Sequence, residues 1–251
     1  VYYSRGNAFR AAGNNDDAIR DYDQALRLHP GVVETYTNRG IAYRAKGEYA
    51  EAIEDFDEAL RLKPDQPIVL NNRGITYRYK GDFRRAIEDL NQALRLDPEY
   101  ALSYKGRGVA YFLTGEFVAA ADDLAEYLNR QPEDHHAVLL LFLARQRAGA
   151  DGAAELKFNV IMLDVTEWPG PIVEFFAGQR SESTLRGAAE DPDASIREVR
   201  LCELEFYLGQ WNLTFGSSAE ARQKLEHVRE ICPRTSFPFQ AAQTELARMG
   251  D

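Results

Sequence analysis

"YTNRGIAY" at residues 36–43 decides how this chain folds, because the stretch has three near copies. "YYSRGNAF" stands at 2–9, "LNNRGITY" at 70–77 and "YKGRGVAY" at 104–111, so Gly6, Gly40, Gly74 and Gly108 are each 34 residues apart. A second set keeps the same phase: Gly13, Gly47, Gly81 and Gly115, then Ala18, Ala52, Ala86 and Ala120. Tyr22, Phe56, Leu90 and Leu124 follow, and Pro30, Pro64, Pro98 and Pro132 close each unit. The Gly and Ala positions let two helices approach closely, and the aromatics around them fill the space between successive units. The second Gly suits the left-handed conformation that ends a helix, and the Pro stops the next one. Each unit leaves an apolar face uncovered, so the units must stack.

Period and order together resemble the tetratricopeptide repeat, a pair of antiparallel helices. The fold class expected is all-α: a tetratricopeptide-repeat α-solenoid with a degenerate helical insert and a C-terminal capping helix. Residues 1–134 hold four regular repeats. Residues 135–168 hold a degenerate fifth, which keeps Gly149 and Ala154 but has Phe142 at the small position. The period breaks over 169–201, read as a helical insert with "PIVEFFAG" as one short helix and "SESTLRGAA" as another, capped by Ser181. It resumes over 202–235 through Gly209, Gly216, Ala221, Leu225 and Pro233. Residues 236–251 carry a last stripe, Phe239, Ala242, Leu246 and Met249, expected to cover the open face of one continuous array. Ile172, Phe175 and Phe176 are expected to be buried, making the insert a structural plug.

The chain has 251 residues, 45% of them hydrophobic, with a formal net charge of −10. That charge argues against nucleic acid or anionic lipid as main partners, since both reward clustered cations. The longest apolar run, Ala137–Ala144, is far too short to span a bilayer. Val1 already falls inside a helical pattern, so the chain is expected to be a fragment of something longer.

A tetratricopeptide array followed by Trp168, Ile172, Val173, Glu174, Phe175, Phe176 and Gly178, then Ser181, Thr184 and Leu185, then Phe206, Tyr207, Leu208 and Gly209, resembles the NlpI-type bacterial lipoproteins. The resemblance implies a periplasmic, dimeric adaptor, anchored to the outer membrane through a lipidated cysteine that this sequence lacks. It implies as partners a C-terminal processing (tail-specific) protease and cell-wall hydrolases. A homodimer is expected from it, and from an open apolar end near Val1, Tyr2 and Phe9.

Nothing points to catalysis, and no cofactor is expected. His135 and His136 are adjacent on a helix and so point about 100° apart, which prevents joint chelation. No zinc spacing, phosphate loop or nucleophile elbow occurs. Carboxylates such as Asp16, Asp17, Glu54, Asp55, Asp122 and Asp123 are expected on the solvated side of the second helices. The chain is therefore expected to be a non-enzymatic interaction scaffold for proteins or peptides.

In such arrays the first helix of each repeat lines the concave groove. Counting from the Gly, the groove positions include Tyr3, Asn7, Arg10, Thr37, Asn38, Ile41, Arg44, Asn71, Asn72, Arg78, Tyr79 and Lys105. Asn side chains can pair with a peptide backbone, and Arg or Lys can hold a carboxylate. Arg5, Arg39, Arg73 and Arg107 are expected to be structural. The alternative is a cytosolic chaperone adaptor with a two-carboxylate clamp. At the five clamp positions stand Tyr3, Asn7, Asn38, Ile68 and Asn72, which matches two and supplies no cation.

Register predicts a disulfide. Cys202 lies seven residues before Gly209 and Cys232 eleven after Ala221, near two and three helical turns, so both return to the inner faces of an antiparallel pair. A disulfide implies an oxidising compartment.

Overall fold

The computed structural model describes residues 1–250, which form fifteen α-helices and, among the described residues, no strand. Two compact units divide the chain, Val1–Ala110 and Tyr111–Asp251. The first contains three helix pairs: α1 (Tyr2–Ala11) with α2 (Asn15–Leu28), α3 (Val33–Lys46) with α4 (Tyr49–Leu62), and α5 (Pro67–Tyr79) with α6 (Phe83–Leu96). Helix α7 (Ala101–Thr114) follows and carries the unit boundary.

Sequence period explains these pairs. In α2, Ala18, Ile19, Tyr22 and Leu26 recur at helical spacing and are buried, while Arg20, Gln24 and Arg27 stay exposed. That stripe packs on α1 and α3, and each large apolar side chain so buried contributes about 1.5–3 kcal/mol. Close approach depends on the small residue of the first helix. A Cβ on Gly40 would lie 2.8 Å from Phe56 Cε1 and 3.1 Å from the Ala52 carbonyl oxygen. Tyr22 fills the same place against Gly6, and Leu90 against Gly74. The second Gly of each unit has positive φ, from 79° at Gly13 to 87° at Gly115, and this ends the first helix. His29, Lys63 and Asp97, each just before a Pro, lie near φ −140° and so leave the helix.

Arg5, Arg39 and Arg73 are structural through ion pairs. Arg5 meets Asp21 through Nε and Nη2, both at 2.6 Å. Arg73 meets Asp89 of its own repeat at 2.7 and 2.8 Å and Asp57 of the preceding one at 2.6 Å. The expectation that Asp55 and Asp123 face solvent is corrected: both are buried. A carboxylate sixteen residues after the arginine falls where the second helix packs back on the first, and Asp55 is held there by Arg39.

The second unit contains α8 (Phe117–Leu128), α9 (His135–Arg147), α10 (Ala153–Met162), α11 (Gly170–Phe176), α12 (Glu182–Ala188), α13 (Ala194–Phe215), α14 (Ser218–Ile231) and α15 (Phe237–Met249). The apolar run Ala137–Ala144 is buried all round in α9, which touches α8, α10, α11 and α13. Phe142 takes the small position, and the compensation comes from Gly152, buried at the start of α10, whose Cβ would sit 3.2 Å from the Phe142 ring.

Within the insert, α11 buries Ile172, Val173, Phe175 and Phe176 against α9 and α13. The Phe176 ring packs on Phe142, Phe175, Tyr207 and Trp211, with centroids 5.2–6.2 Å apart. Ser181 Oγ accepts the Thr184 N–H and caps α12.

Helix α13 begins at Ala194, earlier than the expected 202. Asp193 caps it by accepting from the Ser195 and Ile196 N–H groups, and its first turns are exposed. Gly209 then meets Leu225 of α14 as Gly74 meets Leu90. Cys202 and Cys232 are joined in a disulfide, with Cα atoms 5.2 Å apart. Helix α15 packs on α13 and α14. Its inner face includes Gln240, Ala241 and Glu245 beside Ala242 and Leu246, because Glu245 receives Arg147 of α9 at 3.1 and 3.3 Å.

Candidate functional site

A cavity opens between three successive first helices of the first unit, α3, α5 and α7. Arg44 of α3, Ile75, Arg78 and Tyr79 of α5, and Leu102 and Lys105 of α7 border a cavity of about 300 Å³. Arg44 and Arg78 lie one repeat apart, and Leu102 and Lys105 lie one turn apart on the next first helix, so the stacking of repeats brings them together.

Several groove residues predicted from position turn out to hold the groove's wall rather than to face its opening. Asn71 is buried and accepts a hydrogen bond from Ser103 Oγ at 3.1 Å. Thr37 is buried and donates to the Val33 carbonyl at 2.9 Å. Asn72 is buried, donates to the Ile68 carbonyl at 2.8 Å and accepts from Arg44 at 3.0 Å. Tyr3, Asn7 and Asn38 form one network. Asn38 Nδ2 donates to Tyr3 Oη at 3.0 Å and to Asn7 Oδ1 at 3.2 Å, and Tyr22 Oη donates to Asn7 Oδ1 at 2.7 Å. Ile41 packs into the core around Phe56. The idea that the Asn side chains lie ready for a peptide backbone is therefore corrected, because hydrogen bonds across neighbouring helices occupy them.

Arg44, Tyr79 and Lys105 stay partly accessible at the cavity, while Arg78 is buried in its wall. Arg44 is half-buried, and its guanidinium is held below its usual pKa by burial, with Arg78 and Arg10 nearby adding to the effect. It still carries its charge, since guanidinium does not deprotonate in proteins. The Arg78 guanidinium lies 4.3 Å from the centroid of the Tyr79 ring, and Tyr79 stacks on Tyr49 at 5.9 Å. Lys105 is half-buried at the cavity edge. His135 and His136 go to separate partners, the Asp164 carbonyl and the Tyr207 hydroxyl.

Paired helices repeated along the chain, with a cavity between successive first helices of the first unit, define a repeat scaffold for protein–protein interaction. The tetratricopeptide repeat family matches residues 3–67 and 71–135, more than half the chain, and the chain belongs to that family. Among solved structures it is similar to MamA, at 27% identity and TM-score 0.55, covering 62% of this chain and 86% of that one. A tetratricopeptide repeat protein from Parabacteroides merdae matches at 17% identity and TM-score 0.62 over 97% of this chain and 96% of its own. The Cut9–Hcn1 assembly of the APC/C matches at 23% identity and TM-score 0.60, over 70% of this chain and 35% of that one. The last two likenesses concern the fold alone.

Proposed function

We propose that the chain is a non-catalytic adaptor that binds segments of client proteins in the groove of its first unit. The observation that carries this reading is the cavity bordered by Arg44, Arg78, Tyr79 and Lys105, formed by successive first helices of the repeat. Charged forks and aromatic faces set in apolar walls suit peptide recognition.

The finer reading is a periplasmic adaptor of the NlpI type, which docks a C-terminal processing protease and brings cell-wall hydrolases to it, working as a homodimer on a lipid anchor. The Cys202–Cys232 disulfide supports an oxidising compartment and weighs against the cytosolic chaperone adaptor. The experiment places a photo-crosslinking amino acid at Leu102, which is exposed at the cavity edge. Crosslinks to a purified C-terminal processing protease, lost when Arg44 is replaced by Ala, are expected. A folded protein that captures the protease equally well with and without Arg44 would sink the groove as the docking site.

A further inference from the structure

We infer that the exposed face of α10, around Phe158, Ile161 and Met162, docks one amphipathic helix of a partner protein, a helix with a small residue at its centre. This surface belongs to the second unit and is separate from the groove of the first.

Repeat phase singles the face out. Phe158 stands 34 residues after Leu124 and so continues the series Tyr22, Phe56, Leu90 and Leu124. Each of those four is fully buried, as is Leu225 at the same phase of the last repeat. Phe158 is 61% exposed. Ala154, in phase with the fully buried Ala18, Ala52, Ala86 and Ala120, is exposed as well. Met162, in phase with the buried Leu26 and Leu94, is 66% exposed, and Ile161 beside it is 79% exposed. The stripe that the regular second helices turn inward is thus turned outward in α10.

Phe142 explains the reversal. In the regular repeats the large side chain of the second helix rests on a glycine of the first, as Phe56 does on Gly40. Phe142 stands in that glycine's place, so its ring takes the volume that Phe158 would fill. The Phe142 ring meets Phe176 of the insert at 5.7 Å, and α10 instead buries Leu156 and Val160, packing on α9 and α11. Phe158 lies two residues from each of these, about 200° around the helix. Helix α10 is therefore apolar on two opposite faces, the pattern of a helix covered on both sides.

Elsewhere in the chain a first helix covers such a stripe. Leu90 of α6 lies between Gly74 of α5 and Gly106 of α7, where an added Cβ would come within 3.0 and 3.1 Å of it. Phe158 calls for the same kind of occupant, a helix that sets Gly or Ala against the ring with apolar residues a turn away. Area decides between such a helix and a second copy of this chain. Helix α10 has ten residues, so it is about 15 Å long. Its three large, partly covered side chains expose on the order of 400 Å². That is about half of the roughly 800 Å² per partner in a stable interface of standard size. Two copies meeting there would also set Phe158 and Met162 against their own kind, with no small residue to let the helices close. One helix, anchored on side chains at i, i+3 and i+4, needs no more than this stripe.

The test uses fluorescence anisotropy on the intact chain with a labelled, hydrocarbon-stapled peptide of the α7 sequence, residues 101–114, which carries Gly106 near its centre. Phe158→Ser and Ile161→Ser change exposed side chains, so each should keep the parent's circular dichroism and melting temperature. Each should weaken the peptide at least about tenfold, the factor for losing one buried large apolar side chain. A peptide carrying Gly106→Leu should bind the parent at least about tenfold more weakly, because the added bulk holds the helices apart. Leu102→Ser in the protein itself, at the cavity of the first unit, should leave binding unchanged. No binding by the parent, or equal binding by the parent and Phe158→Ser, overturns the proposal; the protease crosslink from Leu102 judges the groove separately. A clearly lowered melting temperature for Phe158→Ser overturns it too, since the ring would then be covered within the chain. In analytical ultracentrifugation of the chain alone, a dimer that Phe158→Ser dissolves overturns it in favour of a second copy. Flotation with vesicles of equal phosphatidylglycerol and phosphatidylcholine, lost on Phe158→Ser, overturns it in favour of a lipid surface.

Discussion

Arg39 grips Asp55 through Nε and Nη2, at 2.8 and 2.6 Å, and reaches Asp23 of the preceding repeat through Nη1 at 2.5 Å. One side chain thus ties the two helices of its own repeat together and binds that repeat to its neighbour. Asp55 is buried, and burial pushes its carboxyl up against the pull of Arg39. Such a carboxylate is tolerable only while its partner stays in place.

Arg39→Met should therefore destabilise the first unit by about 3 kcal/mol, because it leaves Asp55 buried without its counter-charge. Arg39→Met combined with Asp55→Leu should recover most of that loss, since a matched apolar pair removes the orphan. Urea unfolding followed by circular dichroism measures both. A loss below about 1 kcal/mol for the single variant would mean that solvent already screens the pair.

The fold was legible because the period is written at many positions at once. Gly40, Ala52 and Phe56 report the same helix contact from both sides, so an error at one would have clashed with the others. Repeat phase starts α13 too late because the helix's first turns carry no buried stripe: Ile196 and Val199 there are exposed, and the phase says nothing about a helix that outgrows its repeat. The site was less legible. Position counting tells where Asn71 and Asn72 fall around α5, but not how deeply each is buried. Ser103, thirty-two residues on, supplies the partner of Asn71. The ion-pair ladder did leave a signal, Asp21, Asp55 and Asp89 each sixteen residues after an arginine. Reading it requires asking which acidic residues recur in phase with the basic ones.

Phe176→Ala should cost the second unit about 3–5 kcal/mol, the range for emptying a large buried aromatic. Its ring sits 5.2 Å from Trp211 and 5.7 Å from Phe142, so α11, α9 and α13 all lose packing together. Tryptophan fluorescence during denaturation reads the change directly. An unaltered midpoint would show that the insert is dispensable to the unit.

Reducing the Cys202–Cys232 bond should lower stability by about 3–4 kcal/mol, the chain-entropy value for a loop closed over a separation of 30 residues. Cys202→Ser with Cys232→Ser should match the reduced protein, and intact mass after alkylation should find no reactive thiol in the oxidised form. If reductant leaves the unfolding curve unmoved while both thiols become alkylated, the bond is not what holds the middle of α13 to the end of α14.

Two glycines of the insert should respond to the same substitution with opposite signs. Gly170 is buried at the start of α11, and a Cβ there would overlap the backbone of Val165. Backbone cannot swing aside as a flexible side chain can, so Gly170→Ala must displace the turn that feeds α11 and disturb the burial of Ile172 and Phe176. A loss of about 1–3 kcal/mol is expected, the usual cost of forcing added volume into a packed site. Gly187 lies within α12, where a Cβ would meet nothing within 4 Å. There the substitution restricts the unfolded chain and favours the helix, so Gly187→Ala should add about 0.5–1 kcal/mol. Thermal unfolding of the two variants side by side separates steric from entropic effects at positions seventeen residues apart. A Gly170→Ala protein as stable as the parent would show that the Val165–Gly170 contact yields at little cost, and that Phe176 and its neighbours can be seated without it.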